Sequence, residues 1–198
     1  MGFFDLFKNK NSNPGSKPRT VKNKTGHLQG RIYLYPDTPG IMNLLTKETP
    51  RQILETHFPK HEWPISGGWG YTKEDAVVLE VDNEGIGVDL EYQFLQYRTY
   101  EETIVFRPRG RKLAGLRFET LRQYLVAGEN GKHYDCVTQR VHAFMERDFE
   151  LLKRDWETHD AYIDDKEGRM RHLALAESKR ISFEITGWFD ISNFYGIS

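Results

Sequence analysis

Cysteine is nearly absent from the sequence, because Cys136 is the single cysteine among 198 residues. One thiol excludes a disulfide within the chain and is typical of proteins that fold in a reducing compartment. The sequence also has no run of about 18 apolar residues, which a transmembrane helix would need. Together these two absences predict a protein of the cytoplasm.

Recognisable catalytic and cofactor motifs are lacking as well. No Gly-x-Ser-x-Gly elbow is present, and the glycines at 67–70 precede Lys73 in an order that differs from the Walker phosphate loop. His57 and His61 are four residues apart, but Pro59 between them breaks the helix that a shared metal would require. We therefore predict no metal and no cofactor.

Charge is distributed unevenly along the chain, although the formal net charge is only −1. Residues 1–31 contain seven basic residues and one acidic residue, giving +6, so the remaining 21 basic and 28 acidic residues give −7. Asn, Lys, Ser, Pro and Gly dominate residues 9–26, a composition with almost nothing to bury. We predict a flexible basic arm over residues 1–27 and one globular domain over residues 28–198.

The arm begins with an aromatic turn formed by Phe3, Phe4, Leu6 and Phe7. Basic residues near an anionic membrane contribute about 1 kcal/mol each, so membrane contact through residues 1–27 is one interpretation. The favoured interpretation is that the aromatic side chains dock on the protein itself or on a partner, because one turn is too small for an interfacial helix. Nucleic acid is not expected as a partner, because the body of the protein is acidic.

Apolar periodicity and turn residues set the order of the predicted elements. Predicted strands cover residues 29–35, 76–81, 86–94 and 103–106, a hairpin of 113–127 with 132–145, and a strand through Ile181, Phe183 and Ile185. Predicted helices follow Thr49 as far as Pro59, cover 146–159, and cover 166–178 with Met170, Leu173 and Ala174 directed inward. Most strands follow one another through short turns, which favours antiparallel pairing. The predicted fold is α+β, a mainly antiparallel sheet of meanders and hairpins with about three flanking helices.

The most unusual segment is the loop at 63–71, which contains three glycines and three large aromatic residues. Glycines allow close approach of a ligand, and exposed aromatic rings provide stacking area. The alternative is that Trp63 and Trp69 fill the core while the glycines permit tight bends. As candidate binding residues we name Trp63, Gly67, Gly68, Trp69, Gly70 and Tyr71.

Acid–base chemistry has two weaker candidates. Asp155 and His159 lie four residues apart on a predicted helix, and Asp148 lies further back on the same helix, so these three residues are the catalytic candidates. The carboxylates of Asp89, Glu91, Glu101 and Glu102 lie in or near predicted strands, where two of them could meet across a sheet. Ordinary solvated faces of a helix and a sheet explain the same patterns.

These observations favour a non-enzymatic module that binds another protein through the Gly/Trp loop and a sheet face. The first alternative is a hydrolase-type enzyme with a carboxylate/histidine site. The second alternative is a peripheral membrane adaptor that uses residues 1–27.

Overall fold

The computed structural model describes the strands at 30–34 and 42–46 and residues 48–107 and 109–196, so the predicted basic arm lies outside the described residues. Within them the strands are β1 (Gly30–Leu34), β2 (Met42–Thr46), β3 (Ile65–Gly67), β4 (Val77–Leu79), β5 (Leu113–Ala127), β6 (His133–Met145) and β7 (Ile181–Asp190). The α-helices are α1 (Pro50–His57), α2 (Glu84–Tyr100), α3 (Glu146–Thr158) and α4 (Lys166–Lys179). Hence the described residues form four α-helices where about three were predicted. No helix among these residues is long and apolar enough to cross a membrane.

The α+β class is confirmed, and the sheet is mixed rather than purely antiparallel. Strands β1 and β2 form a separate antiparallel hairpin, and the main sheet has the order β3-β4-β7-β6-β5. One pair, β4 with β7, is parallel, and the other pairs of the main sheet are antiparallel. A simple meander is excluded because β7 enters between β4 and β6.

Helix α1 begins at the predicted residue. The Thr49 side chain accepts a hydrogen bond from the Gln52 backbone N–H, while the Gln52 side chain accepts one from the Thr49 N–H. Pro50 occupies the first turn, where its missing N–H costs no hydrogen bond. All of these determinants lie within four residues, which is why the sequence predicts this helix start.

The strand predicted at 86–94 is wrong, because these residues belong to helix α2. Asn83, predicted to lie in a turn, caps this helix by accepting a hydrogen bond from the Ile86 N–H at 3.1 Å. Buried positions recur at helical spacing: Gly87, Leu90, Glu91, Phe94, Leu95, Arg98 and Thr99. The polar residues among them interrupt the apolar stripe expected of a helix. The apolar residues that remain happen to alternate with polar ones, which is the pattern of a strand.

The strand predicted at 103–106 is wrong too. Glu101–Val105 forms a π-helical turn that continues α2. β-branched residues suggested a strand, but the Thr103 hydroxyl instead donates to the Thr99 carbonyl one turn earlier, at 2.6 Å. Turns of the π type inside helices often occur at functional sites. This one buries two consecutive carboxylates, Glu101 and Glu102.

The long β5–β6 hairpin is confirmed, including the glycine at its turn, because Gly131 has a φ of +74°. Helix α4 has nearly the predicted extent, and its inward face was predicted only in part. Leu173 packs against the core as predicted, but Met170 is 61% exposed and Ala174 is exposed. The buried positions are instead Gly168, His172 and Ala176. A histidine fills the inward position because an aspartate of α3 accepts its hydrogen bond, which no periodicity could reveal.

Among the described residues, two apolar clusters make up the core. The larger lies between α2 and one face of the sheet, where Phe94 and Leu95 pack with Val137, Val141 and Phe189. The smaller joins α3 and α4 to one end of β6 around Phe144, Leu152 and Trp156. The opposite face of the strands β5, β6 and β7 therefore points away from the larger core over most of its length.

Candidate functional site

The face of strands β5, β6 and β7 that points away from α2 is called here the outer sheet face. Alternate residues of β6 point to it, and the strand registers place their neighbours in four rows. The rows are Tyr124–Cys136–Trp188, Arg122–Thr138–Thr186, Glu119–Arg140–Glu184 and Arg117–His142–Ser182. The outer sheet face thus combines aromatic, basic, acidic and hydroxyl side chains.

The first two rows form an aromatic and cationic surface. The rings of Tyr124 and Trp188 meet edge to face, 6.3 Å apart, above Cys136. Tyr124 is 46% exposed, whereas the small Cys136 between the rings is fully buried. In the next row the Arg122 Nε donates to the Thr138 hydroxyl at 3.3 Å. The exposed groups are therefore held in place by neighbours on adjacent strands.

The remaining rows carry both signs of charge. Arg140 lies 3.7 Å from a Glu119 carboxylate oxygen and 3.4 Å from a Glu184 oxygen on the other side. His142 shares a 2.7 Å hydrogen bond with Ser182, and burial together with Arg180 lowers the pKa of the His142 ring. Counting arginine and glutamate alone, three positive and two negative charges lie on this face.

The predicted binding loop at 63–71 borders the outer sheet face, but its indoles point elsewhere. Trp63 and Trp69 are only 1% and 6% exposed and belong to the larger core, as the core-filling alternative expects. Gly70 has a φ of +71°, and its carbonyl accepts a hydrogen bond from the Trp188 N–H at 2.9 Å. A side chain on Gly70 would collide with the Trp188 carbonyl, so glycine is needed there. Ligand binding by this loop stays a prediction.

Two of the other loop candidates are glycines at the bend itself. Gly67 has a φ of +77°, and a Cβ there would approach the Ala76 carbonyl to 2.5 Å. Gly68 donates its N–H to the same carbonyl, and a Cβ there would overlap the Asp75 side chain. Both glycines therefore have a structural explanation that requires no ligand.

The last loop candidate, Tyr71, belongs to a buried ionic cluster beneath the loop. Its hydroxyl donates to the Glu102 carboxylate, and its ring faces the Arg98 guanidinium at 4.6 Å. Arg98 also donates to the carbonyls of Trp69 and Thr186 at 2.8 and 2.7 Å. Burial raises the pKa of Glu102 to about 7, although Arg98 and Tyr71 oppose that rise. These contacts fasten α2 to the loop and to β7.

A histidine–glutamate pair lies at the other carboxylate of the π-helical turn. The Nδ1 of His57 is 2.7 Å from Glu101, whose side chain is fully buried, while the His57 side chain is 10% exposed. Burial raises the pKa of Glu101, and the contact with His57 opposes this. A carboxylate that orients an imidazole is the geometry of a general base. The structure therefore gives Glu101 a histidine partner that the sequence did not suggest.

Glu91 faces Asp135 between α2 and β6, and each carboxyl group affects the pKa of the other. The Gln123 amide donates to Glu91 at 3.2 Å and also to Asp135. Burial, followed by the charge of Asp135, raises the pKa of Glu91 to about 9. The pair therefore holds a proton at neutral pH. Of the four carboxylates considered from the sequence, only Asp89 lies on an exposed face.

The three catalytic candidates are only partly brought together. Asp155 and His159 are in contact at 3.4 Å, but Asp148 lies apart and forms an ion pair with Lys179 at 3.5 Å. The Asp155 carboxylate instead accepts hydrogen bonds from Tyr162 and His172 at 2.8 and 2.5 Å. Neither partner was predicted, because the chain between α3 and α4 must reverse to bring them there.

No family model, curated protein or solved structure matches this chain. Within residues 48–107 and 109–196, no three His, Cys, Asp or Glu side chains are grouped so that they could hold a metal ion. The side chains of the described residues are therefore the only indication of function. Among them, the outer sheet face is a surface that the sequence did not locate.

Proposed function

We propose that this protein is a non-enzymatic binding module that contacts a partner protein through its outer sheet face. The observation that carries the proposal is the row in which exposed Tyr124 and half-buried Trp188 lie beside Arg122. Tyrosine, tryptophan and arginine are the residues most enriched where protein interfaces concentrate their binding energy.

Pre-organisation supports the same proposal. The Thr138 hydroxyl is 3.2 Å from that of Thr186 and also accepts the Arg122 Nε–H, so the second row is linked across three strands. Side chains that are already ordered lose less rotamer entropy on binding, which otherwise costs about 0.5–1.5 kcal/mol each.

The size of the surface indicates how far the contact extends. Four rows about 7 Å apart span roughly 20 Å along the strands, and three strands span about 10 Å across them. A stable interface buries about 800 Å² on each partner, so the contact must extend beyond these rows. The adjacent row contains Tyr134, with the ammonium groups of Lys73 and Lys132 at 5.2 and 5.9 Å from its ring.

Mixed charge favours a protein over nucleic acid as the partner. Glu119 and Glu184 flank Arg140 in the third row and would repel phosphate groups. A nucleic-acid surface would instead present a stripe of one sign.

A hydrolase built on Asp148, Asp155 and His159 has less support. Asp148 is engaged by Lys179, and one oxygen of Asp155 already accepts two hydrogen bonds. The His172 imidazole beside it is only 2% exposed, which keeps it from a substrate.

The experiment is affinity capture of the full-length protein from the lysate of its own host, followed by hydrogen-exchange footprinting of the captured complex. We expect protection of the strands that carry Tyr124 and Trp188. The double variant Arg122→Glu with Tyr124→Ala should weaken binding by about 30-fold or more, as loss of an interface hot spot of about 2 kcal/mol does.

Leu151→Ser is the matched control, because Leu151 is 51% exposed but lies on α3. Its capture should equal that of the wild type. Equal capture by the double variant, protection confined to another surface, or loss of capture after nuclease treatment would each contradict the proposal.

A further inference from the structure

Strand β5 forms one edge of the main sheet. The strand order is β3-β4-β7-β6-β5, so β5 pairs with β6 on one side, and no other strand in the described part of the chain pairs with its second side. The opposite edge of the sheet is β3, which has three residues, whereas β5 has fifteen. Eight of the twelve residues at 116–127 are exposed. This stretch of β5 is called here the β5 edge.

An edge of this length offers backbone groups to a further strand. In an antiparallel pair every second residue of an edge strand directs its N–H and C=O away from its neighbour. Natural proteins protect such edges, often by keeping them short. The β5 edge also exposes apolar surface, since Tyr124 is 46% and Leu125 is 49% exposed. A further strand is therefore the ligand that this edge fits.

A bulge in β5 determines which strand can pair with this edge. The register with β6 shifts between Thr120 and Arg122, which leaves Leu121 as the extra residue. Residues three apart in a regular strand lie on opposite faces, but Glu119 and Arg122 both lie on the outer sheet face because of the bulge. A regular strand would lose its matching faces on passing this point. A second copy of β5 carries the same bulge, so two copies can pair antiparallel with matching faces along the whole edge.

The two-fold axis of such a pair lies between Thr120 and Leu121. Facing residues are then Leu116 with Leu125, Arg117 with Tyr124, Phe118 with Gln123 and Glu119 with Arg122, and symmetry repeats each pair. Residues that face each other across an antiparallel pair interact directly. This register therefore joins two leucines on the inner face, and on the outer face it places an arginine beside a tyrosine ring and a glutamate beside an arginine.

Charge complementarity supports the same register. Glu119 is 57% exposed, and its contacts with Arg140 and His142 are long, at 3.7 Å each. Arg122 is exposed and has no acidic partner among the residues that the structure describes. Opposite charges that face each other on neighbouring strands are stabilising, and like charges are destabilising. The pairing gives the Glu119 of each copy an arginine of the other copy.

We propose that two copies of this protein pair antiparallel along the β5 edge and form a symmetric dimer with one continuous sheet. The paired residues 116–125 span about 33 Å at about 3.3 Å per residue. A single strand edge is narrow and falls short of the 800 Å² or so that each partner buries in a stable interface, so we expect a dissociation constant of about 10–100 μM. The dimer would join two outer sheet faces into one larger surface.

Sedimentation equilibrium of the purified full-length protein, from about 1 to 500 μM, tests this association. Arg122→Glu places a carboxylate opposite Glu119 and should weaken the dimer at least about tenfold, because like charges then face each other twice. The exchange variant Glu119→Arg with Arg122→Glu restores opposite charges and should recover most of the association. Glu184→Arg is the matched control, because it reverses a charge in the row of Glu119 but lies on β7, away from the edge.

A distance between two nitroxide labels tests the register. Ala127→Cys provides the attachment point, because Cys136 is fully buried and leaves the new thiol as the accessible one. Residue 127 lies about six and a half residues from the proposed axis, so at about 3.4 Å per residue the two labels should be about 45 Å apart. Double electron–electron resonance measures distances of this size.

Four results would overturn the proposal: a monomer at every concentration, weakening by Glu184→Arg equal to that by Arg122→Glu, no recovery in the exchange variant, or a label distance far from 45 Å. A monomer would also mean that this edge has a different occupant. The dimer does not rest on the proposed function, because it is measured on the purified protein alone. Failure to capture a partner protein would therefore leave the result for the dimer unchanged.

Discussion

Glu91→Gln is expected to stabilise the protein at neutral pH, although it alters a buried residue that makes hydrogen bonds. In the folded protein burial raises the pKa of Glu91 from 4.5 to about 9, so the native state holds a proton there at pH 7. The unfolded chain releases that proton above its ordinary pKa. Because the folded pKa is raised, the full stability is present below about pH 4.5 and is lost progressively as the pH rises towards 9.

The magnitude follows from the size of the shift. At pH 7 the unfolded state lies about 2.5 pH units above the ordinary pKa, and each unit is worth about 1.4 kcal/mol, so proton uptake costs about 3 kcal/mol. Glutamine cannot ionise, and its amide can still donate towards Asp135. We therefore expect the free energy of unfolding to rise by about 1–3 kcal/mol at pH 7, with the lower figure allowing for imperfect geometry.

Urea unfolding at pH 5, 7 and 9, followed by tryptophan fluorescence, measures this effect. The difference between the variant and the wild type should grow with pH, which separates Glu91 from the other buried carboxyls that titrate in both proteins. Asp89→Asn is the control on an exposed position of the same helix and should change stability by less than about 0.5 kcal/mol. A variant that is less stable than the wild type at pH 7, with a difference independent of pH, would refute the reasoning.

Two further substitutions test the fold around the site by the same unfolding assay. Trp69→Ala removes a buried indole and should lower the free energy of unfolding by about 3–5 kcal/mol. Ile163→Ala, at a 73% exposed position, should change stability little. Equal effects of the two substitutions would show that Trp69 does not belong to the core. Asn83→Ala removes the cap of α2 and should lower the free energy of unfolding by about 1 kcal/mol. Asn83→Asp keeps an oxygen that can accept the same hydrogen bond, so it should keep most of that stability. An equal loss of stability in both variants would argue against capping.

Local determinants made parts of the fold predictable from sequence. The capping box from Thr49 to Gln52 and the glycine turn at Gly131 act within a few residues, so sequence reasoning located both. Helix α2 was misread because Glu91 and Arg98 occupy its buried face, and their partners lie on distant strands and loops. Polar residues at inward positions erase the apolar period on which such predictions depend.

The outer sheet face could not be predicted from the sequence for a different reason. Tyr124 and Cys136 lie in one hairpin, so their register follows from a nearby turn, but Trp188 is 52 residues beyond Cys136. Nothing local specifies that β7 pairs with β6, and the row therefore could not be predicted. The contacts of Asp155 were predicted only in part. Helical spacing predicted that His159 lies near Asp155, whereas the position of His172 depends on how α4 packs against α3.

The central place of β7 has a consequence for the order in which the protein folds. Val77 pairs with Phe189, which follows it by 112 residues, so β3 and β4 cannot join the main sheet until residue 189 has been synthesised. A pairing between such distant residues requires a long loop to close, which lowers the conformational entropy of the chain before stabilising contacts have formed. This slows folding. During translation, the apolar side chains of α2 that later pack on β7 therefore stay exposed to solvent until β7 has been synthesised. The nascent chain is therefore expected to need protection from aggregation until its last strand is complete.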